Sequence, residues 1–144
     1  MSAKYVVACD GSKASERAVK MAVEQAKSSG ASLLLVHVLE WSPYSFLTPE
    51  ELEERHKRRG EELKRASAAL VDPLVESTRA EGVEASAIIR YGHVTETMAR
   101  IAEEESATQI FIGRTGQSGL AKIVFGSVAA AMAQIAPVPC TIVP

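Results

Sequence analysis

Apolar residues gather along this chain in short unbroken runs, separated by longer stretches where they return every third or fourth position. Tyr5-Val-Val-Ala-Cys9 is the first run and closes in the turn cluster Asp10-Gly11-Ser12, so it reads as a buried strand ending at position 10. Ala14 to Ser28 follows with Ala14, Ala18, Met21, Ala22, Gln25 and Ala26 at helical spacing. Ser12 is placed to cap the first turn of that helix, and Gly30 stands just past its last. Ser32-Leu-Leu-Leu-Val-His-Val-Leu39 shows no two-residue alternation, which predicts a central parallel strand covered on both faces.

Thr48-Pro49-Glu50-Glu51 joins an N-cap threonine, a proline at the first helical position and a glutamate at the third, the pattern of a capping box at a helix start. Leu52, Leu63, Ala66, Leu70 and Leu74 continue an apolar seam, but the residues from Glu53 to Glu62 are almost all charged. The first half of this helix should therefore project into solvent. Pro73 must bend or break it, since it has no N–H to give and its ring crowds the preceding turn. Glu84 to Tyr91 reads as a third strand, and Val94 to Glu104 as a helix with Val94, Met98, Ile101 and Ala102 facing inward. Gln109 to Ile112 reads as a fourth strand, Ser127 to Ile135 as a helix and Cys140-Thr-Ile-Val143 as a last strand. Five strands alternating strictly with four helices, without internal repeat, predict one α/β domain over 1–144. Its architecture is an open, doubly wound, Rossmann-like parallel sheet with right-handed crossovers.

Composition narrows the class without choosing a function. The 144 residues suffice for a single domain with a full core, and a chain of this size buries about 68–70% of its unfolded surface. The net charge of −2 and the absence of a basic block beyond Lys57 to Arg59 advertise neither nucleic acid nor an anionic membrane as a partner. Cys9 and Cys140 both fall inside apolar runs, where a reduced cysteine behaves as a small hydrophobe. With no 18-residue apolar stretch and no leader-like start, these features point to a reducing cytoplasm and no membrane insertion. His37 reads as a satisfied histidine of the core rather than a base, while His56 and His93 have no evident partner. Trp41, Tyr44 and Phe46 stand together in a loop, where core packing, a lid and a subunit surface are all open readings.

The chemistry concentrates in G113-R-T-G-Q-S-G-L-A-K-I-V-F-G-S127, with glycine at 113, 116, 119 and 126. In a doubly wound sheet of order 3-2-1-4-5, strands one and four flank the switch point, so this loop and Asp10 face one crevice beyond the strand ends. Glycines let successive backbone N–H groups turn toward an anion, and the helix start at Gly126-Ser127 adds free N–H groups and partial positive charge. Arg114 and Lys122 supply cations nearby. A polyphosphate fits this loop best, yet the spacing is neither G-x-x-x-x-G-K-[ST] nor G-x-G-x-x-G.

The spacing that does match is G-x2-G-x9-G-[ST], with Gly113, Gly116, Gly126 and Ser127 in register. In this the sequence resembles the ATP-binding branch of the universal stress protein family. Asp10-Gly11-Ser12, Leu35-Val-His37-Val38, Ile110-Phe-Ile-Gly113, Ser118-Gly119-Leu120 and Ala136-Pro-Val-Pro139 look like that family too, so the resemblance spans essentially the whole chain. It implies ATP as the ligand, with Mg²⁺ possible on the phosphates. Asp10 and Ala8 would stand on the nucleoside side, and the backbone of Val38 would read the adenine edge. Ile112 and Gly113 would begin the ribose and phosphate lining, and Gly116, Gly126, Ser127 and Val128 would hold the phosphates. Family loops usually place a small hydroxyl residue after the first glycine and a basic one second, whereas here the order is Arg114-Thr115. The swap redirects the guanidinium, either onto the phosphates or out to solvent. The resemblance also implies a homodimer joined through strand 140–143, with higher oligomers possible and a protein partner still to be named.

Two outputs follow from such a cleft. A regulatory module would let bound ATP change loop order or assembly, with at most slow hydrolysis or autophosphorylation. That reading is preferred, because a hydrolase needs a metal site and a residue to position water, and Asp10 is the one obvious cleft carboxylate. An ATP-using enzyme that adenylates a substrate is the alternative. A flavodoxin-like electron carrier fits the loop poorly and lacks an aromatic clearly placed to stack on a flavin.

Overall fold

The computed structural model describes residues 3–40, 48–115 and 127–144, with Ser127 by its backbone. Lys4–Ala8 (β1), Ser32–Leu39 (β2), Ala85–Tyr91 (β3), Gln109–Gly113 (β4) and Cys140–Val143 (β5) form one sheet, in the order β3-β2-β1-β4-β5. Every neighbouring pair is parallel. The topology reverses between β1 and β4, as a doubly wound sheet of order 3-2-1-4-5 requires.

The helices are Lys13–Ser29 (α1), Pro49–Ala66 (α2), Asp72–Ala80 (α3), Val94–Glu104 (α4) and Ser127–Ile135 (α5). A single π-turn, Ser67–Val71, joins α2 to α3, so residues 49–80 form one helical connection and the sheet has four. That turn is how the chain accommodates Pro73. Asp72 N–H reaches back five residues to the Ser67 carbonyl, and the widened ladder absorbs the missing donor that would otherwise end the helix.

Sequence signals set the helix ends. Ser12 Oγ accepts from Ser15 N–H, and Gly30 closes α1 in the left-handed conformation at φ 76°. Thr48 and Glu51 complete a reciprocal capping box at α2. The buried face of α1 departs from the expected seam, because Met21 is exposed and Val19 and Val23 are buried in its place. The stripe Ala14, Ser15, Ala18, Val19, Ala22, Val23, Ala26 is wider and rotated, since β-branched valines fill the groove against the sheet while flexible Met21 stays at its rim.

Two cores flank the sheet. On one face Tyr5, Val7, Leu33, Leu35 and Phe111 meet α1, with Leu74 and Val75 of α3 packed alongside. On the other, Val6, Leu34, Val36, Ile110 and Ile112 meet Met98 and Ile101 of α4 and Met132 of α5. The α2 segment buries no residue, as its charge run foretold, and Leu52 is 44% exposed. Its second half meets Tyr91, whose hydroxyl donates to the Arg59 carbonyl and to Glu62 Oε2 at 3.1 and 2.8 Å.

Candidate functional site

The residues expected at the switch point lie where β1 leaves the sheet. Cys9 N–H still donates to the Val36 carbonyl at 2.8 Å, but β1 ends at Ala8 and pairs no further. From there, side chains replace the ladder. Asp10 N–H donates to Ser15 Oγ at 3.1 Å, and that hydroxyl donates onward to the Ala8 carbonyl at 3.4 Å. The Cys9 carbonyl accepts from His37 Nδ1 at 2.6 Å, which fixes the proton on Nδ1 because a carbonyl can only accept. Asp10 Oδ1 accepts from Ser12 N–H at 2.9 Å, an Asx turn that leads the chain into α1.

Val38 lies at the matching height on β2. Val36 turns its carbonyl toward β1, and backbone groups two residues apart in a strand point the same way. The N–H and C=O of Val38 therefore point toward β1, just past its last residue. Its side chain joins Ala8, Ile112 and Val128 in the cluster on the α4–α5 face. Ala8, Val38 and Ile112, expected along the nucleoside, thus share one apolar cluster with Val128, expected at the phosphates, and Asp10 stands just before α1.

Gly113 has a role that spacing alone did not reveal. A Cβ built there would stand 2.8 Å from the carbonyl carbon and the Cβ of Ala14, so the first turn of α1 can pack on β4 only over a glycine. Arg114 donates its backbone N–H to the Val143 carbonyl at 2.7 Å and exposes its side chain. Gly116, Gly119, Lys122 and Gly126 lie outside the described residues, as do Trp41, Tyr44 and Phe46.

Electrostatics leave the Cys9 thiol inert. Burial, with the neighbouring Asp10 charge in support, pushes the Cys9 thiol up to about 12. His37 is half-buried and tied to Cys9 rather than packed away in the core, while His56 and His93 are exposed. Ser15 and His37 are the residues that sequence reading undervalued at the site. The available signal was a polar side chain in the last turn of an otherwise apolar strand, and a second serine one turn into a helix already capped by Ser12. Among the described residues, no group of three or more His, Cys, Asp or Glu could hold a metal ion, and no helix is long and apolar enough to cross a membrane.

The fold is that of an α/β protein of the doubly wound class, whose sheet order reverses between β1 and β4. The family model described as "Universal stress protein family" matches residues 1–144, and the chain belongs to that family. It is 30% identical over 147 residues to universal stress protein YxiE of Bacillus subtilis, covering 97% of each chain. The fold is similar to that of universal stress protein UspA from Lactobacillus plantarum, with TM-score 0.85, 22% identity and coverage of 99% and 97% of the two chains. It is similar also to that of a universal stress protein from Archaeoglobus fulgidus in complex with dAMP, with TM-score 0.66, 22% identity and coverage of 100% and 98%.

Proposed function

We propose that this protein binds an adenine nucleotide, ATP by preference, in the crevice above β1 and β4, and that it serves as a nucleotide-dependent regulatory module in a cytoplasmic stress response. The observation that carries the reading is the backbone of Val38, whose N–H and C=O overhang the end of β1 beside an apolar wall of Ala8, Ile112 and Val128. Adenine presents a flat apolar face for such a wall, and an acceptor nitrogen beside an amino donor for such an edge. Binding of dAMP by a protein of the same fold supports the choice of base. The gapped glycine spacing supports the phosphates, with Gly113, Gly116, Gly126 and Ser127 as their cradle and Arg114 as an available cation. Mg²⁺, when bound, would offset charge on those phosphates.

Signalling rather than turnover is favoured by Asp10. Its Oδ1 is engaged in the turn at the start of α1, which suits a carboxylate that shapes the cleft better than one that activates water. Dimerisation through the outer edge of β5 belongs to the same reading, since that strand pairs only with β4 among the described residues.

The test is to denature purified protein and identify released nucleotide by ion-exchange chromatography, then to titrate ATP and AMP by calorimetry with and without Mg²⁺. We expect ATP to bind below millimolar, and Gly116→Val and Gly126→Val each to abolish binding while circular dichroism is unchanged. No adenine nucleotide released and no binding below millimolar would overturn the proposal. ATP affinity surviving both valine variants would remove the loop from it.

A further inference from the structure

A parallel ladder continued by one step would place Val38 N–H on the Cys9 carbonyl, because Cys9 N–H already lies on the Val36 carbonyl. The sheet does not take that step: β1 ends at Ala8, and the Cys9 carbonyl is occupied by His37 Nδ1–H at 2.6 Å. The histidine side chain has taken the acceptor that its neighbour's backbone would otherwise claim. Ser15 acts in the same direction from α1, accepting from Asp10 N–H and donating to the Ala8 carbonyl. The two side chains together satisfy the last backbone groups of β1 and draw its end off the sheet.

We infer that His37 is a positioning residue for the base site: by holding the Cys9 carbonyl it keeps the β1–β2 ladder open and leaves the backbone edge of Val38 available to a ligand. Without that imidazole donor, the Cys9 carbonyl is a buried acceptor with a backbone N–H one step away, and closing the ladder satisfies both groups at once. The edge that would read the base is then consumed. Protonation of the other ring nitrogen leaves the Nδ1 donor in place, so this role does not call for a histidine that titrates. An asparagine, whose amide nitrogen sits near the position of Nδ1, can replace it; a leucine cannot.

The inference rests on the proposed nucleotide site for its consequence but not for its geometry, and the experiments separate the two. In ligand-free protein, ¹⁵N NMR of His37 should show the proton on Nδ1, and amide exchange should find Val38 N–H poorly protected. His37→Leu should slow Val38 exchange about tenfold, whereas His37→Asn should leave it as in the wild type. A proton on Nε2 in the wild type, or Val38 exchange unchanged in His37→Leu, would overturn the inference; if His37→Leu does not fold, the tautomer and the asparagine variant decide it. In nucleotide titrations, wild type and His37→Asn should prefer ATP to 1-deaza-ATP, which lacks the N1 acceptor that the Val38 N–H would meet, and His37→Leu should lose that preference. Equal weakening of both nucleotides would instead mean a general structural role and would overturn it. If exchange and tautomer behave as expected while wild type binds neither nucleotide, the positioning geometry stands and the proposed function fails.

Discussion

At the scale of single residues, two glycines separate what packing demands from what the chain merely tolerates. At Gly113 an added methyl would meet the backbone of Ala14 at 2.8 Å, and backbone cannot rotate away as a side-chain tip can. Gly113→Ala should therefore cost about 1–3 kcal/mol, in the range of overpacked cores, and should weaken nucleotide binding by shifting the start of α1. Gly60, inside α2, has nothing within 4 Å of a built Cβ. Gly60→Ala should stabilise by about 0.5–1 kcal/mol from helix propensity alone. Urea denaturation of both variants checks the pair, and the same sign of change in both would contradict the packing argument. The cysteines divide similarly. Cys9 is buried with its thiol pushed up to about 12, whereas Cys140 is raised by burial but remains half-accessible. Iodoacetamide at pH 8 should label Cys140 first and Cys9 only as the protein unfolds, as mass spectrometry of time points will show.

At the scale of elements, the least integrated part is α2, which buries no residue and is tied to β3 through Tyr91. The Tyr91 hydroxyl donates to the Arg59 carbonyl and to Glu62, and the Arg59 guanidinium lies 4.9 Å from the ring centroid. Tyr91→Phe keeps the ring and loses both bonds, so trypsin should cleave at Lys57, Arg58, Lys64 and Arg65 about threefold to tenfold faster. The contact should also carry a pH signature. Desolvation first, then Glu62, raise the Tyr91 hydroxyl from 10.0 to about 12, so the folded state keeps a proton that the unfolded chain has begun to release. Its contribution is whole below pH 10 and fades toward pH 12. Cys9 adds to the same decline from 9.0 upward, so wild type should lose stability across this window and Tyr91→Phe should lose it less steeply. Equal slopes for the two would exclude Tyr91 from the effect. Most elements were legible in sequence, because the central strands are apolar runs closed by turn residues and α1 and α2 carry their own caps. The exposure of α2 was equally legible from its charges. The rotated face of α1 was not, since periodicity ranks Met21 with the valines and only the shape of the sheet surface distinguishes them. Nor was continuation through Pro73, which depends on a π-turn that no local pattern announces. In the site, Asp10 could be placed because strand ends and the switch point follow from topology, whereas Val38 was implied by the family resemblance. The hydrogen bond from His37 to Cys9 could not, because it joins two strands across a register that sequence does not display.

At the scale of the whole molecule, the open sheet ends in two edge strands, β3 and β5, and β5 is the one the proposed dimer uses. The carbonyls of Pro139, just before β5, and of Val143 accept from Ile110 of β4 and from Arg114 just past it, so the odd-numbered residues of β5 face inward along the ladder. Cys140 and Ile142 consequently turn their N–H and C=O groups away from β4, along the free side. An edge of this kind pairs readily with a second copy of itself, and light scattering coupled to size exclusion should return twice the chain mass of 15.4 kDa. The alternation supplies a selective probe. Ile142→Pro removes an outward donor and leaves every β4–β5 bond in place, which an edge strand tolerates, so the variant should be a folded monomer. Thr141→Pro removes an inward donor and should instead destabilise the sheet itself. A dimer that survives Ile142→Pro with unchanged affinity would place the subunit contact elsewhere on the molecule. Because β5 also receives Arg114 N–H directly after Gly113, the edge and the start of the glycine loop share one hydrogen bond. A monomeric Ile142→Pro with altered ATP affinity would therefore show that assembly and nucleotide are read through that same strand.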